Sequence, residues 1–284
     1  MGDIYIGDAL ELAKSLTENS VQCIVTSPPY WNLRDYGVDG QWGQETDYQE
    51  HISRLVALFS ELRKSLKDDG VLWINYGDCY ASAGGRGNGT NLHGGLDSRC
   101  ASRNQKSKLG NGLKPKDLVG MPWRIALALQ NDGWWLRQDI IWHKPNAMPE
   151  SVTDRCTNAH EYLFMLTKSA RYYYDAEAIK EPAKWDKMTT AHPHSGMRNK
   201  RSVWTIPTHP YSGAHFAAFP PLLIEPCILS CSKRGDVVLD PFAGSGTTLA
   251  VADKHGREWI GFEINPSYEP LIRKRIEAVQ PVLF

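Results

Sequence analysis

The chain has 284 residues, of which 42% are hydrophobic, with 10 Trp, 12 Tyr and 7 Phe. That is more than the roughly 100 to 200 residues of a typical domain, and it supplies one large core and excludes global disorder. Its 32 Lys+Arg cancel its 32 Asp+Glu, so the chain is neither a polybasic tail nor an acidic one, and any polyanion must be met by local basic segments.

Residues 3–8 predict a short strand ending at Gly7-Asp8, and residues 9–16 a helix with apolar positions at helical spacing. A second strand, Val21 to Thr26, halts at Pro28-Pro29. A long helix from about Tyr48 to Lys67 carries Ile52, Leu55, Val56, Phe59, Leu62 and Leu66 along one stripe, and Gly70 leads into the strand VLWINYG. Over residues 81–116 apolar periodicity vanishes, and Arg86, Arg99, Arg103, Lys106, Lys108, Lys114 and Lys116 face only Asp97. Two readings stand for this stretch, a solvated loop and a mobile basic flap.

Order returns with a helix at MPWRIALALQ, a strand at WWLRQDIIWHK interrupted by Pro145, and a strand at HEYLFMLTK. Residues 176–214 read as a second, irregular insertion with a basic cluster at Lys184, Lys187, Arg198, Lys200 and Arg201. Beyond it come a helix opened by proline at PPLLIEPCILSC and the strand DVVLD. The run Phe242 to Thr248 opens a helix through Lys254, WIGFEI is a strand, and PSYEPLIRKRIEAV is the last helix. Strands alternating with helices predict an α/β fold, a mostly parallel sheet with helices on both faces.

No stretch reaches the roughly 18 consecutive apolar residues of a membrane helix, and MGDIYIGDAL lacks a basic leader, so a cytoplasmic protein is expected. Cys23, Cys79, Cys100, Cys156, Cys227 and Cys231 are scattered without a C-x-x-C pair, which fits a reducing compartment. No metal site is expected, because no second paired ligand cluster accompanies Cys227 and Cys231.

Two turns carry the chemistry. The segment Asp240-Pro241-Phe242-Ala243-Gly244-Ser245-Gly246-Thr247-Thr248 sets a glycine turn between a buried strand and a helix, where backbone N–H groups can approach an anionic or zwitterionic ligand. A phosphate loop would need Lys after Gly246, and a dinucleotide turn a small residue at Leu249. About twenty residues on, Glu263 ends a strand where a carboxylate can accept from a ribose diol, unless it merely caps the helix after Asn265-Pro266. At the second turn, Thr26-Ser27-Pro28-Pro29-Tyr30-Trp31, two prolines fix the backbone. The Ser27 hydroxyl and Pro28 carbonyl become rigid acceptors and Tyr30 a stacking face, a set suited to a planar amine.

Together TSPPYW and DPFAGSGTT resemble the catalytic and cofactor motifs of S-adenosylmethionine-dependent DNA amino-methyltransferases of the permuted beta class, whose catalytic motif comes first. The likeness continues through GVLWINYGD, WHKPN, RYYYD, HFAAFP and GFEINPSY, covering most of the chain outside the two insertions. It implies a Rossmann-like seven-stranded sheet in circularly permuted order. Residues 1–80, 118–175 and 215–284 would form the catalytic core, 81–117 a flexible basic loop and 176–214 a small target-recognition insertion.

Ser27, Pro28, Pro29 and Tyr30 would then be catalytic. Asp8, with Ala9, would hold the adenine amino group of S-adenosylmethionine, and Glu263, with Asn265, its ribose. Asp240, Pro241, Phe242, Ala243, Gly244, Ser245, Gly246 and Thr247, with His215 and Phe216, would hold its methionine end. The implied partner is double-stranded DNA with a flipped base, alongside a cognate restriction enzyme. Ser at the first motif position points to the N4 amine of cytosine; adenine N6 is the alternative, and an RNA or protein-amide methyltransferase a further one. Carbon-5 methylation would use a Pro-Cys nucleophile, but Pro226-Cys227 lies in an apolar helix and reads as core.

Overall fold

In the computed structural model the described residues are 2–81, 99–100 (backbone only), 112–183, 196–208 and 219–279. In chain order the elements are β1 (Gly2–Ile6), α1 (Ala9–Ala13), β2 (Val21–Thr26), α2 (Tyr48–Ser65), β3 (Leu66–Tyr76), β4 (Tyr80–Ala81), β5 (Arg99–Cys100), α3 (Met121–Asn131), β6 (Trp135–His143), β7 (His160–Thr167), β8 (Glu181–Pro182), β9 (Met197–Arg198), β10 (Val203–Thr205), α4 (Pro221–Cys231), β11 (Val237–Asp240), α5 (Thr247–Lys254), β12 (Glu258–Glu263) and α6 (Glu269–Glu277).

One sheet of eight strands runs in the order β1-β12-β11-β2-β3-β7-β6-β10, with β4-β5 and β8-β9 as separate two-residue pairs. The block from β1 to β3 is parallel, and β7 runs antiparallel to both β3 and β6. Because helices cover both faces, the central strands read as unbroken apolar runs rather than alternating ones. In β2, Ile24 packs with Leu55, Phe59 and Leu62 of α2, whereas Cys23 and Val25 pack with Leu223, Ile224 and Ile228 of α4. The same alternation divides Leu72 and Ile74 from Val71 and Trp73 in β3.

The sheet holds one strand more than the seven expected. Val203–Thr205 lies in the segment read as irregular, yet it pairs parallel with Ile141 to His143 of β6 and buries Trp204 in the core. Three residues are too few to show a period, so only the pairing reveals the strand. Helix α2 ends at Ser65, and β3 starts earlier than expected, with Gly70 inside it; a register shift between Val21 and Cys23 accommodates the extra residues.

The permutation is visible in the pairing of β1 with β12, which places Gly2 to Ile6 beside Trp259 to Glu263. Cys227 and Cys231 are fully buried on α4, with the Trp73 indole donating to Cys231 Sγ (3.4 Å), as a core reading expects. Cys79 is disulfide-bonded, whereas Cys23, Cys156, Cys227 and Cys231 are free. No helix of the described residues is long and apolar enough to cross a membrane. Most of the 81–117 loop, residues 184–195 of the second insertion, and His215 and Phe216 lie outside the described residues.

Candidate active site

The carboxyl ends of β1, β2, β11 and β12 converge on a cleft of about 500 Å³. Ser27, Pro28, Pro29 and Tyr30 line it together with Ala9, Asp240, Pro241, Phe242, Ala243, Gly244, Ser245, Thr247, Glu263 and Asn265. The two turns, more than 200 residues apart, therefore share one wall-to-wall space.

On the glycine-turn side, Gly246 caps α5 from outside the lining. Its φ is +77°, and a Cβ there would meet Ile272 Cγ2 at 2.7 Å, so the position demands glycine. Asp240 is buried and its oxygens are engaged: Thr26 Oγ1 (2.7 Å) and the Phe242 amide (3.0 Å) donate to Oδ1, and Thr248 Oγ1 (2.8 Å) donates to Oδ2. Burial pushes its carboxyl up to about 6, opposed by these donors. The side chain ties β2, β11 and α5 together and thereby fixes the shape of the turn.

Glu263 is 8% exposed and accepts from the Gly244 amide (2.8 Å) on Oε2 and the Asn265 amide (2.9 Å) on Oε1. Burial again dominates and raises its carboxyl to about 7. A carboxylate offers about four lone-pair sites, so after these two bonds acceptor capacity remains beside the cleft.

Asp8 is not among the cleft-lining residues, although Gly7 and Ala9 on either side are. Its Oδ1 caps α1 through the Leu10 (2.9 Å) and Glu11 (3.2 Å) amides, and its Oδ2 accepts from Trp42 Nε1 (2.9 Å). The Trp42 ring meets Phe242 edge-on at 5.4 Å and carries the Arg54 guanidinium at 4.2 Å.

At the diproline corner, the Tyr30 ring lies on Tyr76 at 4.5 Å, and its hydroxyl donates to Glu161 Oε2 at 2.8 Å. Behind the corner, Tyr76 Oη sits 3.4 Å from the Pro29 carbonyl, accepts from the Trp31 amide (2.7 Å) and meets His51 Nε2 (3.0 Å), whose Nδ1 faces Glu45 (2.8 Å). The corner is braced from behind by residues of β3 and α2.

The sequence reading missed the opposite wall: Asn75, Trp142, Lys144, Asn146, Glu161 and Thr208 also line the cleft. Lys144 is ion-paired with Glu161, with side chains only 11% and 12% exposed, and Lys144 Nζ lies 4.4 Å over Trp142. One signal was available: Glu161 is an acidic residue opening an otherwise apolar strand, HEYLFML.

Comparison with known proteins accords with this geometry. A family model described as DNA methylase, covering the N6 and N4 enzymes, matches residues 21–274. The Type II methyltransferase M.Cfr9I of Citrobacter freundii is 50% identical over 97% of this chain and 87% of its own length. M.SmaI of Serratia marcescens is 50% identical over 96% of this chain and 90% of its own. The TTHA0409 protein of Thermus thermophilus, solved with S-adenosyl-L-methionine, superposes with a TM-score of 0.66 at 26% identity, covering 100% of this chain and 96% of that one. The chain belongs to the N6/N4 family of DNA methylases and is a methyltransferase that uses S-adenosylmethionine.

Proposed function

We propose that the chain methylates the exocyclic N4 amine of a cytosine flipped out of duplex DNA. The observation that carries this reading is the meeting of the acceptor corner, Ser27 to Tyr30, with the glycine turn and Glu263 in one cleft. S-adenosylmethionine supplies, when bound, a methyl group made electrophilic by its sulfonium. The residues present fit it. Glu263 is a desolvated carboxylate with spare acceptor sites for a ribose diol, and Asn265 lies beside it. Ala9, and Asp8 behind it, serve the adenine end. The turn Asp240 to Thr247, with His215 and Phe216, serves the methionine end, Asp240 acting through the turn that it braces.

The lone pair of a nucleobase amine is delocalised into the ring. Ser27 Oγ and the Pro28 carbonyl accept its two hydrogens, bias the nitrogen toward tetrahedral geometry and aim its lone pair into the donor side of the cleft. Tyr30 provides a face for the extruded base. Positioning and charge stabilisation supply most of the acceleration, with no bond to the protein. Ser27 at the first motif position supports cytosine over adenine. The basic residues Arg198, Lys200 and Arg201 of the insertion suit phosphate contact. The Type II relatives support a role in restriction-modification beside a cognate restriction enzyme.

The test is nucleoside analysis of DNA from cells expressing the chain. N4-methylcytosine is expected; N6-methyladenine in its place corrects the base, and modification of RNA or protein but not DNA overturns the reading.

A further inference from the structure

We propose that Glu161, acting through Tyr30, holds the Ser27 hydroxyl as an acceptor and receives the proton that the target amine sheds. The inference rests on the methyltransferase reading above and deepens it by giving the opposite wall a task. Ser27 Oγ donates to Tyr30 Oη (3.4 Å), and Tyr30 Oη donates to Glu161 Oε2 (2.8 Å). Asn75 Nδ2 donates to the same Oε2 (3.2 Å) and to the Tyr162 carbonyl (3.0 Å), while Lys144 Nζ pairs with Oε1.

The direction of this line follows from counting hydrogens. An ionised carboxylate only accepts, and each hydroxyl has one hydrogen to give. Tyr30 Oη faces two acceptors, Glu161 Oε2 at 2.8 Å and Asn75 Oδ1 at 3.2 Å; its hydrogen goes to the nearer, charged one, so Tyr30 Oη is left to accept from Ser27. The Ser27 hydrogen is thus turned toward Tyr30, and the serine lone pairs are left for the cleft that Ser27 lines. Tight packing keeps the line in place: a Cβ on Gly77 would come within 2.9 Å of Tyr30 Cε2 and 3.2 Å of Glu161 Oε1.

The same line carries a proton. Methylation puts a positive charge on the amine nitrogen, the sulfur keeping the electron pair of the broken C–S bond. An N–H proton then passes to Ser27 Oγ as the serine proton moves to Tyr30 Oη and the tyrosine proton to Glu161 Oε2. Serine and tyrosine end neutral as they began, the carboxylate becomes a carboxylic acid, and the base leaves as a neutral methylamine. Burial holds the Tyr30 phenol well above its ordinary range, which suits a group that relays a proton without storing charge. Loss of the Glu161 proton to solvent restores the ion pair with Lys144. Glu161 is therefore a positioning residue that works through Tyr30 and Ser27.

The experiment uses the full chain and a duplex that it modifies, with Tyr30→Phe and the double variant Glu161→Gln/Lys144→Met, which leaves no unpaired buried charge. The first readout needs no cofactor: binding of the duplex with cytosine at the target against pyrimidin-2-one, which lacks the amine. The preference for cytosine should fall about fivefold in both variants, the scale of one neutral hydrogen bond. The second is single-turnover transfer at saturating cofactor and DNA, expected to fall about a hundredfold with cofactor affinity unmoved. Tyr30→Phe keeps the ring on Tyr76, so it decides the matter even where the double variant folds poorly. Unchanged discrimination and rate in Tyr30→Phe overturn the proposal, as does a loss of cofactor affinity that accounts for the rate. Ser27→Ala separates the two levels: if it abolishes transfer while Tyr30→Phe does not, only the relay falls. If Ser27→Ala keeps full transfer, the corner reading falls with it.

Discussion

The two halves of the cleft are built in opposite ways. The donor half centres on a continuous loop, Asp240 to Thr247, tied by the Phe242 amide and Thr248 to Asp240 and by the Gly244 amide to Glu263, with Thr26 of β2 and Arg275 of α6 reaching it from farther along the chain. The target half draws Ser27 and Tyr30 from the end of β2, Asn75 from β3, Lys144 from just beyond β6 and Glu161 from β7, and holds them by side-chain bonds across the sheet. On the proposed reading the cofactor meets this loop and the ends of the strands beside it, while the target amine meets residues drawn from across the sheet. Damage should therefore register as lost affinity in the first half and as lost rate or stability in the second.

The largest expected effect tests the dispersed half. Lys144→Ala strands the Glu161 carboxylate in a nearly dry wall and should cost about 3–5 kcal/mol in chemical denaturation, most of it regained in the double variant Glu161→Gln/Lys144→Met. A loss near zero would place the pair with ordinary surface bridges. Next, Ser27→Ala should slow transfer about a hundredfold or more while calorimetry finds the same cofactor affinity. Equal losses in both quantities would blur the division.

Glu263→Ala should do the reverse, weakening cofactor binding about tenfold to a hundredfold and sparing the rate at saturation. A pH effect is also expected from the donor half. Burial raises Glu263 from its ordinary 4.5 to about 7 and Asp240 from 3.8 to about 6, so the folded chain holds protons that the unfolded chain has released. The stability they contribute is full below about pH 4 and is lost as pH rises through 6 and then 7. Thermal melts of cofactor-free protein should show this decline, and Glu263→Gln should remove its upper part. Finally, Trp42→Phe takes away the indole donor of Asp8 and should cost about 1 kcal/mol.

This contrast also explains what could be read from the chain alone. The strand-helix alternation, the glycine turn and the diproline corner are local, each a few adjacent residues whose backbone chemistry announces itself, and the sheet order and the cleft agree with them. Lys144, just past the end of β6, and Glu161, on its antiparallel neighbour β7, stand 17 residues apart, and their pairing depends on a register that no spacing rule supplies. Asp240 shows the converse limit: its position within the motif was legible, but its bonds to Thr26 and Thr248 show a carboxylate that braces the turn. The three-residue β10 escaped notice because a strand that short is defined by its partner.

The marriage of the first strand to the last has a consequence for synthesis. Tyr5 and Ile6 are made more than 250 residues before Phe262 and Glu263 and wait for them, and the Gly7 amide waits for the Glu263 carbonyl, 2.9 Å away in the finished fold. Closing so long a loop is slow and comes late. A nascent or stalled chain can thus assemble the middle of the sheet, diproline corner included, while the proposed donor pocket lacks its β12 wall until Glu258–Glu263 has been made.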